Sequence, residues 1–242
     1  MDGIEKKDPY IVSFNWSNYD TSALLSNEKL EFYRKRVSKD KFRTDYLGEF
    51  AELGSGIFGQ VTSIINDNPR RDLKLYMGID WSTGTNSDET VVTIFNSEKE
   101  MIFIDGFNDL DATQTINRIK SIIEEFRPHK VTVESNSIGR VFYDMLNKEI
   151  NSMVGQKPSL HIFNTNNDSK NKIVQNFQVA VQNQDVSILS DEKLLSQLSQ
   201  FESKLTSTGK VTYSATRNGH DDRVMATLIA FNSITTGNYG VW

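Results

Sequence analysis

Four carboxylates carry the clearest chemical signal in the sequence. Asp80 ends the apolar run LKLYMGID, Glu134 lies near the end of HKVTVES, and Asp221 and Asp222 open the stretch DDRVMATLIAF. In an open α/β sheet, ligands gather at strand ends and at helix N-termini that point the same way. Taken singly, each acid has an ordinary structural explanation. An Asp after a strand forms a turn, and an Asp at a helix start is a cap. Glu134 differs in kind, because it follows Val131 and Val133 in a strand that reads as central and is assigned to their face. A carboxylate so placed carries a desolvation penalty unless a cation or partner neutralises it. The chain has no cysteine and only three histidines, so converging carboxylates suit a hard, oxygen-ligated cation such as Mg2+ or Mn2+. Two such ions about 3.5–4 Å apart would clamp the attacking and leaving oxygens of a phosphoryl displacement. That chemistry needs little from the protein at its centre except carboxylates.

The elements that must position these acids follow from hydrophobic spacing. LKLYMGID, TVVTIF and MIFIDGF read as three strands joined by polar turns, Trp81 to Glu89 and Ser97 to Glu100. Ile116, Ile119, Ile122, Ile123 and Phe126 repeat at helical spacing between Ala112 and Phe126, and Pro128 stops that helix. HKVTVES is a fourth strand, and Ile138, Val141, Phe142, Met145 and Leu146 stripe a second helix. SLHIF is a fifth strand, followed by a third helix from Lys170 to Val181. VSIL and Lys210 to Tyr213 add short strands around a helix expected over Glu192 to Leu205. Asp221 to Ile234 forms the last helix, with Met225, Leu228 and Ile229 inward. Three antiparallel strands followed by helix–strand alternation give a mixed α/β sheet of five or more strands flanked by helices on both faces.

Residues 1–70 read differently, as an arm or linker ahead of a domain at 71–242. Ser26 and Asn27 are N-caps for a helix expected through Val37, with Leu30, Tyr33 and Val37 on one face. Between Asn27 and Arg43, seven basic residues stand against three acidic ones. This is either a solvated helix face or a surface for phosphate or domain docking. The segment Leu53 to Gly59 is rich in glycine but lacks the Gly-Lys-Ser/Thr ending of a phosphate loop.

Composition excludes several classes. With 242 residues, 37% hydrophobic and 24% charged, the chain is ordinary for a globular protein. Zero cysteines exclude a disulfide scaffold and thiolate chemistry. No apolar run approaches the roughly 18 residues of a spanning helix, and MDGIEKKDPY has no signal-peptide core. No membrane partner is expected. A net charge of −5 argues against wholesale coating of nucleic acid, although a local basic patch can sit beside an acidic centre.

MGIDWSTG, VTVESNSIG and GHDDRVMATLIAF, in that order and spacing, resemble the nuclease domain of tailed-phage large terminases. That family shares the RNase H-like fold with resolvases and retroviral-type integrases. FYRKRVSKDKFRTDYLGEFAELGSGIFG is similar to the stretch linking the packaging ATPase to its nuclease. The resemblance implies a metal-dependent endonuclease cutting double-stranded viral DNA during packaging, by two-metal phosphodiester hydrolysis with Mg2+ or Mn2+. Asp80, Glu134, and one or both of Asp222 and Asp221 would be its catalytic and metal-ligating residues, with Asp222 favoured. Related terminases sometimes place a histidine near the last helix, which makes His220 a further metal-ligand or supporting candidate. As a loop residue ahead of a cap it also has a plain structural explanation.

Implied partners are double-stranded DNA, the packaging ATPase domain of the same full-length protein, the small terminase subunit and the portal, all in the host cytoplasm. The chain is expected to begin in the tail of the motor, leaving Trp16, Phe42 and Phe58 partly uncovered. Arg140, Lys210, Arg217 and Arg223 are candidates for holding DNA, or else ordinary surface charges.

Two other readings compete. GIDWSTGT also resembles the first phosphate loop of the actin and sugar-kinase group, but that group needs a second duplicate domain. A catalytically inert DNA-docking module of the packaging motor would be expected to lack at least one carboxylate, and none is missing here.

Overall fold

The computed structural model describes residues 17–19, 25–49, 56–59, 61–82, 88–135, 139–206, 210–216 and 219–235. The chain forms two compact units, Met1–Glu52 and Leu53–Trp242.

In the first unit, α1 (Asn27–Arg34) is capped by Ser26, whose hydroxyl accepts from the Lys29 N–H. The helix stops at Lys35 instead of running to Val37, because Ser38 opens a second helix, α2 (Lys39–Leu47), by capping Lys41. Leu30 and Phe42 are buried, and the Tyr46 ring stacks on both Tyr33 and Phe42. Phe42 is therefore core and not the uncovered surface expected of it. Part of the basic run is answered locally, through Arg34–Glu31, Lys41–Asp45 and Arg43–Glu49 pairs.

The second unit is built on β1 (Leu75–Asp80), β2 (Thr90–Asn96), β3 (Met101–Phe107), β4 (Lys130–Glu134) and β5 (Ser159–Phe163). Their order is β3-β2-β1-β4-β5. The first three strands are antiparallel neighbours, and β1, β4 and β5 run parallel. Helices α3 (Ala112–Phe126), α4 (Gly139–Ser152), α5 (Asn167–Gln182), α6 (Glu192–Gln200) and α7 (Asp222–Thr235) surround the sheet. This is an RNase H-like α/β arrangement.

Strand alternation divides the core in two. Met77 and Ile79 of β1, with Val131 and Val133 of β4, pack against the isoleucine stripe of α3 and against Phe142 and Leu146 of α4. The opposite face receives α7, whose Val224, Met225, Ala226, Leu228, Ile229, Ala230 and Phe231 are all buried. A helix apolar all round belongs inside a structure. Gly78 makes the contact possible: a Cβ there would lie 2.3 Å from the Ala230 nitrogen and 2.6 Å from the Ala226 oxygen.

Two sequence expectations change in this unit. The helix expected over Glu192 to Leu205 ends at Gln200, and β6 (Phe201–Leu205) pairs with β7 (Val211–Ala215) as a separate two-stranded ribbon. VSIL supplies only isolated bridges, through Ser187 to Glu100 and Ile188 to Ile65. Phe58 is 3% exposed, between Phe177 and Phe201, and Val61 and Ile64 join the same cluster. Those residues belong to the larger unit, although the sequence reading placed its start at 71. Trp16 lies outside the described residues. Among the described residues no helix is long and apolar enough to cross a membrane.

Candidate metal centre

The side of the sheet that Gly78 opens to α7 also carries the acids. Asp80 shares the parity of Gly78, and Glu134 that of Thr132, whose hydroxyl accepts from Ser233 of α7 at 2.7 Å. Glu134 thus faces α7. Its assignment to the face of Val131 and Val133 was wrong, since residues one or three positions apart on a strand point to opposite sides. The parallel register pairs Ile79 with Val133, which brings the next residues, Asp80 and Glu134, side by side.

Both carboxyl groups are buried, and they are hydrogen-bonded to each other. Burial, then the hydrogen bond and charge of Glu134, then the charges of Asp222 and Asp221, push Asp80 well above the usual carboxylate range. Two carboxylates side by side in a buried place repel each other unless a cation or a proton compensates them. A divalent ion would supply that compensation, and the oxygen donors of these two carboxyl groups suit Mg2+ or Mn2+.

Asp222 sits at the start of α7, and its Oδ2 accepts from the Glu89 N–H at 3.0 Å. Its pKa is pushed up to about 6, chiefly by burial and also by Asp88 and Asp221, against the Glu89 hydrogen bond and His220. His220 Nδ1 lies 2.9 Å from Asp88 Oδ1. Ligand atoms of Asp88, His220 and Asp222 all fall within 4.8 Å of one another. Asp221 is differently engaged, through a 2.9 Å ion pair with Lys170 of α5. Of the two adjacent aspartates, Asp222 is the one without a lysine across it among the described residues.

Asp88 and Glu89 escaped the sequence reading, which took Trp81 to Glu89 as a polar turn. Nothing in their spacing separates them from ordinary loop acids. Glu89 is 9% exposed and takes a 2.9 Å bond from Arg223 Nε and a 2.6 Å bond from Lys193 Nζ. Burial alone would raise its pKa, but Lys193 and Arg223 hold it below the usual range. Arg223 also binds Asp191 at 3.1 Å. Gly106 leaves room for this cluster, since a Cβ there would lie 2.7 Å from the Arg223 guanidinium and 2.8 Å from the Glu89 carboxylate. Arg223, expected to hold DNA, is 5% exposed and committed to this network. It anchors the segments bearing Asp88 and Asp222 and has no free reach to a phosphate. Arg140 and Lys210 are exposed, and Arg217 lies outside the described residues.

Comparison with known proteins bears on the family and the fold. The sequence profile of the Terminase RNaseH-like domain matches residues 77–233, a span that includes all four predicted acids. No curated protein sequence matches the chain. Among solved structures, the large terminase nuclease from thermophilic phage G20c aligns with a TM-score of 0.61 at 17% identity, covering 74% of this chain and 98% of that one. Its form with bound magnesium gives 0.60 at 18% identity over 74% and 97%. The large terminase nuclease domain of bacterial virus Sf6 with manganese gives 0.53 at 10% identity over 73% and 96%. The fold is theirs, and on the profile match the chain belongs to the terminase family through its RNase H-like domain.

Proposed function

We propose that this chain is a divalent-cation-dependent endonuclease that hydrolyses phosphodiester bonds of double-stranded DNA during viral genome packaging. The observation that carries the reading is the buried, hydrogen-bonded pair Asp80–Glu134 with Asp222 acting on it electrostatically. Such a pair is costly to a fold unless a cation compensates it. Asp80, Glu134 and Asp222 would hold the ions, with Asp88 and His220 beside Asp222 as further donors and Asp221 in support. Two bound Mg2+ or Mn2+ ions would supply positive charge at the phosphate and lower the pKa of the attacking water.

The chain's own part is to arrange and unmask the ligands. Burial and the neighbouring Glu134 hold the Asp80 carboxyl well above the usual range, so a cation there would compete with a proton on Asp80. The Glu89 N–H fixes one oxygen of Asp222, and Glu89–Arg223 ties the segment bearing Asp88, just before β2, to the helix that carries Asp222. Lys170 neutralises Asp221, which moderates the repulsion among the acids. The partners this reading assigns are the packaging ATPase domain, the small terminase subunit and the portal.

The test is incubation with supercoiled plasmid. The expected result is nicking and linearisation at scattered positions with Mn2+ or Mg2+, because phosphate contacts position DNA without reading it. Cleavage that survives saturating chelator would overturn the metal mechanism, and cutting confined to one short sequence would overturn the packaging assignment.

A further inference from the structure

Five helices of this chain are capped by their own N-cap side chain. Ser26, Ser38, Asp111, Asn166 and Asp191 each accept from the backbone N–H three residues on, at the starts of α1, α2, α3, α5 and α6. That bond satisfies one of the N–H groups that a helix start leaves without an intrahelical partner. The start of α7 is built differently. Its first intrahelical bond runs from the Met225 N–H to the Asp221 carbonyl at 2.7 Å, so Asp221 occupies the N-cap position. Aspartate is among the best capping residues, yet here its Oδ2 accepts from Lys170 Nζ of α5 at 2.9 Å. The Arg223 N–H, second in the helix, donates instead to Gln197 Oε1 of α6 at 2.9 Å. The amide must present its oxygen there, because its nitrogen can only donate.

Gln197 acts from a fixed element. Leu194 and Leu198 of α6 are buried in the same cluster as Val224, Met225 and Leu228 of α7. Asp191, the N-cap of α6, also binds Arg223 Nη1 at 3.1 Å. Arg223 is thus held from α6 at both ends, its guanidinium by Asp191 and its N–H by Gln197. Asp222 stands between two held residues, with Lys170 on Asp221 before it and Gln197 on Arg223 after it. The Glu89 N–H then meets its carboxylate. A cap supplied from another helix leaves Asp221 to Lys170 and fixes the first turn of α7, from which Asp222 projects.

We propose that Gln197 is a positioning residue for the metal centre: by capping α7 from α6 it fixes the backbone that carries Asp222, and so raises the affinity of the centre for divalent ions. The proposal rests on the nuclease reading above and adds a residue that acts through α7.

The test is plasmid nicking as a function of Mn2+ concentration, beside calorimetric Mn2+ binding and thermal unfolding of the same full chain. Gln197→Met keeps the length of the side chain and removes the acceptor. It should raise the Mn2+ concentration for half-maximal nicking, and the calorimetric Kd, by about tenfold, the lower end of what groups that orient metal ligands contribute. The maximal rate should recover at saturating Mn2+. Gln197→Glu keeps an accepting oxygen at the same reach and should bind Mn2+ at least as tightly as wild type. Asp111→Ala removes the cap of α3, on the other face of the sheet, and should lower the melting temperature without moving the Mn2+ midpoint. If Gln197→Met fails to fold, Gln197→Asn, one methylene short of the Arg223 N–H, carries the same expectation.

A parental midpoint in folded Gln197→Met, whatever its maximal rate, would overturn the proposal. So would a tenfold rise in Gln197→Glu, or a midpoint in Asp111→Ala that moves as far as in Gln197→Met. Wild-type protein that does not nick with Mn2+ refutes the nuclease reading, whereas wild-type nicking with a parental midpoint in Gln197→Met refutes only the role of Gln197.

Discussion

Asp80 and Glu134 are hydrogen-bonded neighbours at the ends of two parallel strands, on the face that Gly78 opens to the last helix. A buried acid pair of this kind is unfavourable by itself unless a cation or partner compensates it.

Asp80→Asn removes a charge from the crowded corner while keeping its shape. Cleavage should be abolished. The melting temperature of the metal-free protein at pH 7 should hold or rise, because repulsion by Glu134, Asp222 and Asp221 is relieved. Thermal unfolding beside a plasmid assay checks both. A lower melting temperature with cleavage retained would make Asp80 a structural cap.

Asp222 predicts a pH signature. Its pKa is raised from 3.8 to about 6 in the folded chain, first by burial. A raised folded value means that its contribution to stability is complete below about 3.8 and is lost as pH rises through about 6. Asp80 is shifted in the same direction. In metal-free protein, the melting temperature of Asp222→Asn relative to wild type should therefore increase from pH 4 to pH 7. Saturating Mn2+ should abolish that gain by stabilising wild type. A difference that stays flat with pH would remove Asp222 from the charged centre.

Arg223→Met tests the anchor. It leaves Glu89 and Asp191 without their buried partner, and breaking such a pair costs about 3–5 kcal/mol, readable by urea denaturation. Groups that orient metal ligands typically change metal affinity by about 10–100-fold, so calorimetric Mn2+ affinity should fall by that order. The salt slope of DNA binding should not change, since Arg223 contacts no phosphate in this account. A reduced slope with parental stability would restore Arg223 as a DNA contact.

Gly78→Ala tests the placement of the last helix. The new methyl would meet backbone atoms of Ala226 and Ala230, which have no flexible side chain to yield. Overpacking of this kind costs about 1–3 kcal/mol or more. Mn2+ affinity should fall with stability, because α7 carries Asp222. Unchanged stability would show that the helix sits farther from the sheet.

Much of the architecture was legible because the five strands and the α3 stripe keep clean periodicity. The positions of Asp80, Glu134 and Asp222 were legible for the same reason, since each ends or starts such an element. Three features were hidden by their dependence on tertiary contacts. FESKL continues a helical-looking segment, and its pairing with VTYSA is what makes it a strand. Arg223 beside the acids looks like a DNA contact until Glu89 and Asp191, distant in sequence, close over it. Asp88 and Glu89 resemble turn residues until His220 and Asp222 arrive opposite them. The side of the sheet taken by Glu134 was available from strand parity alone and was misassigned.

The most direct measurement is an anomalous difference map from crystals of this chain grown or soaked with Mn2+. The account predicts a strong peak within direct coordination distance of Asp80, Glu134 and Asp222 in wild type, absent in Glu134→Gln. Well-ordered carboxylates with no peak between them, or a peak that persists in Glu134→Gln, would contradict it.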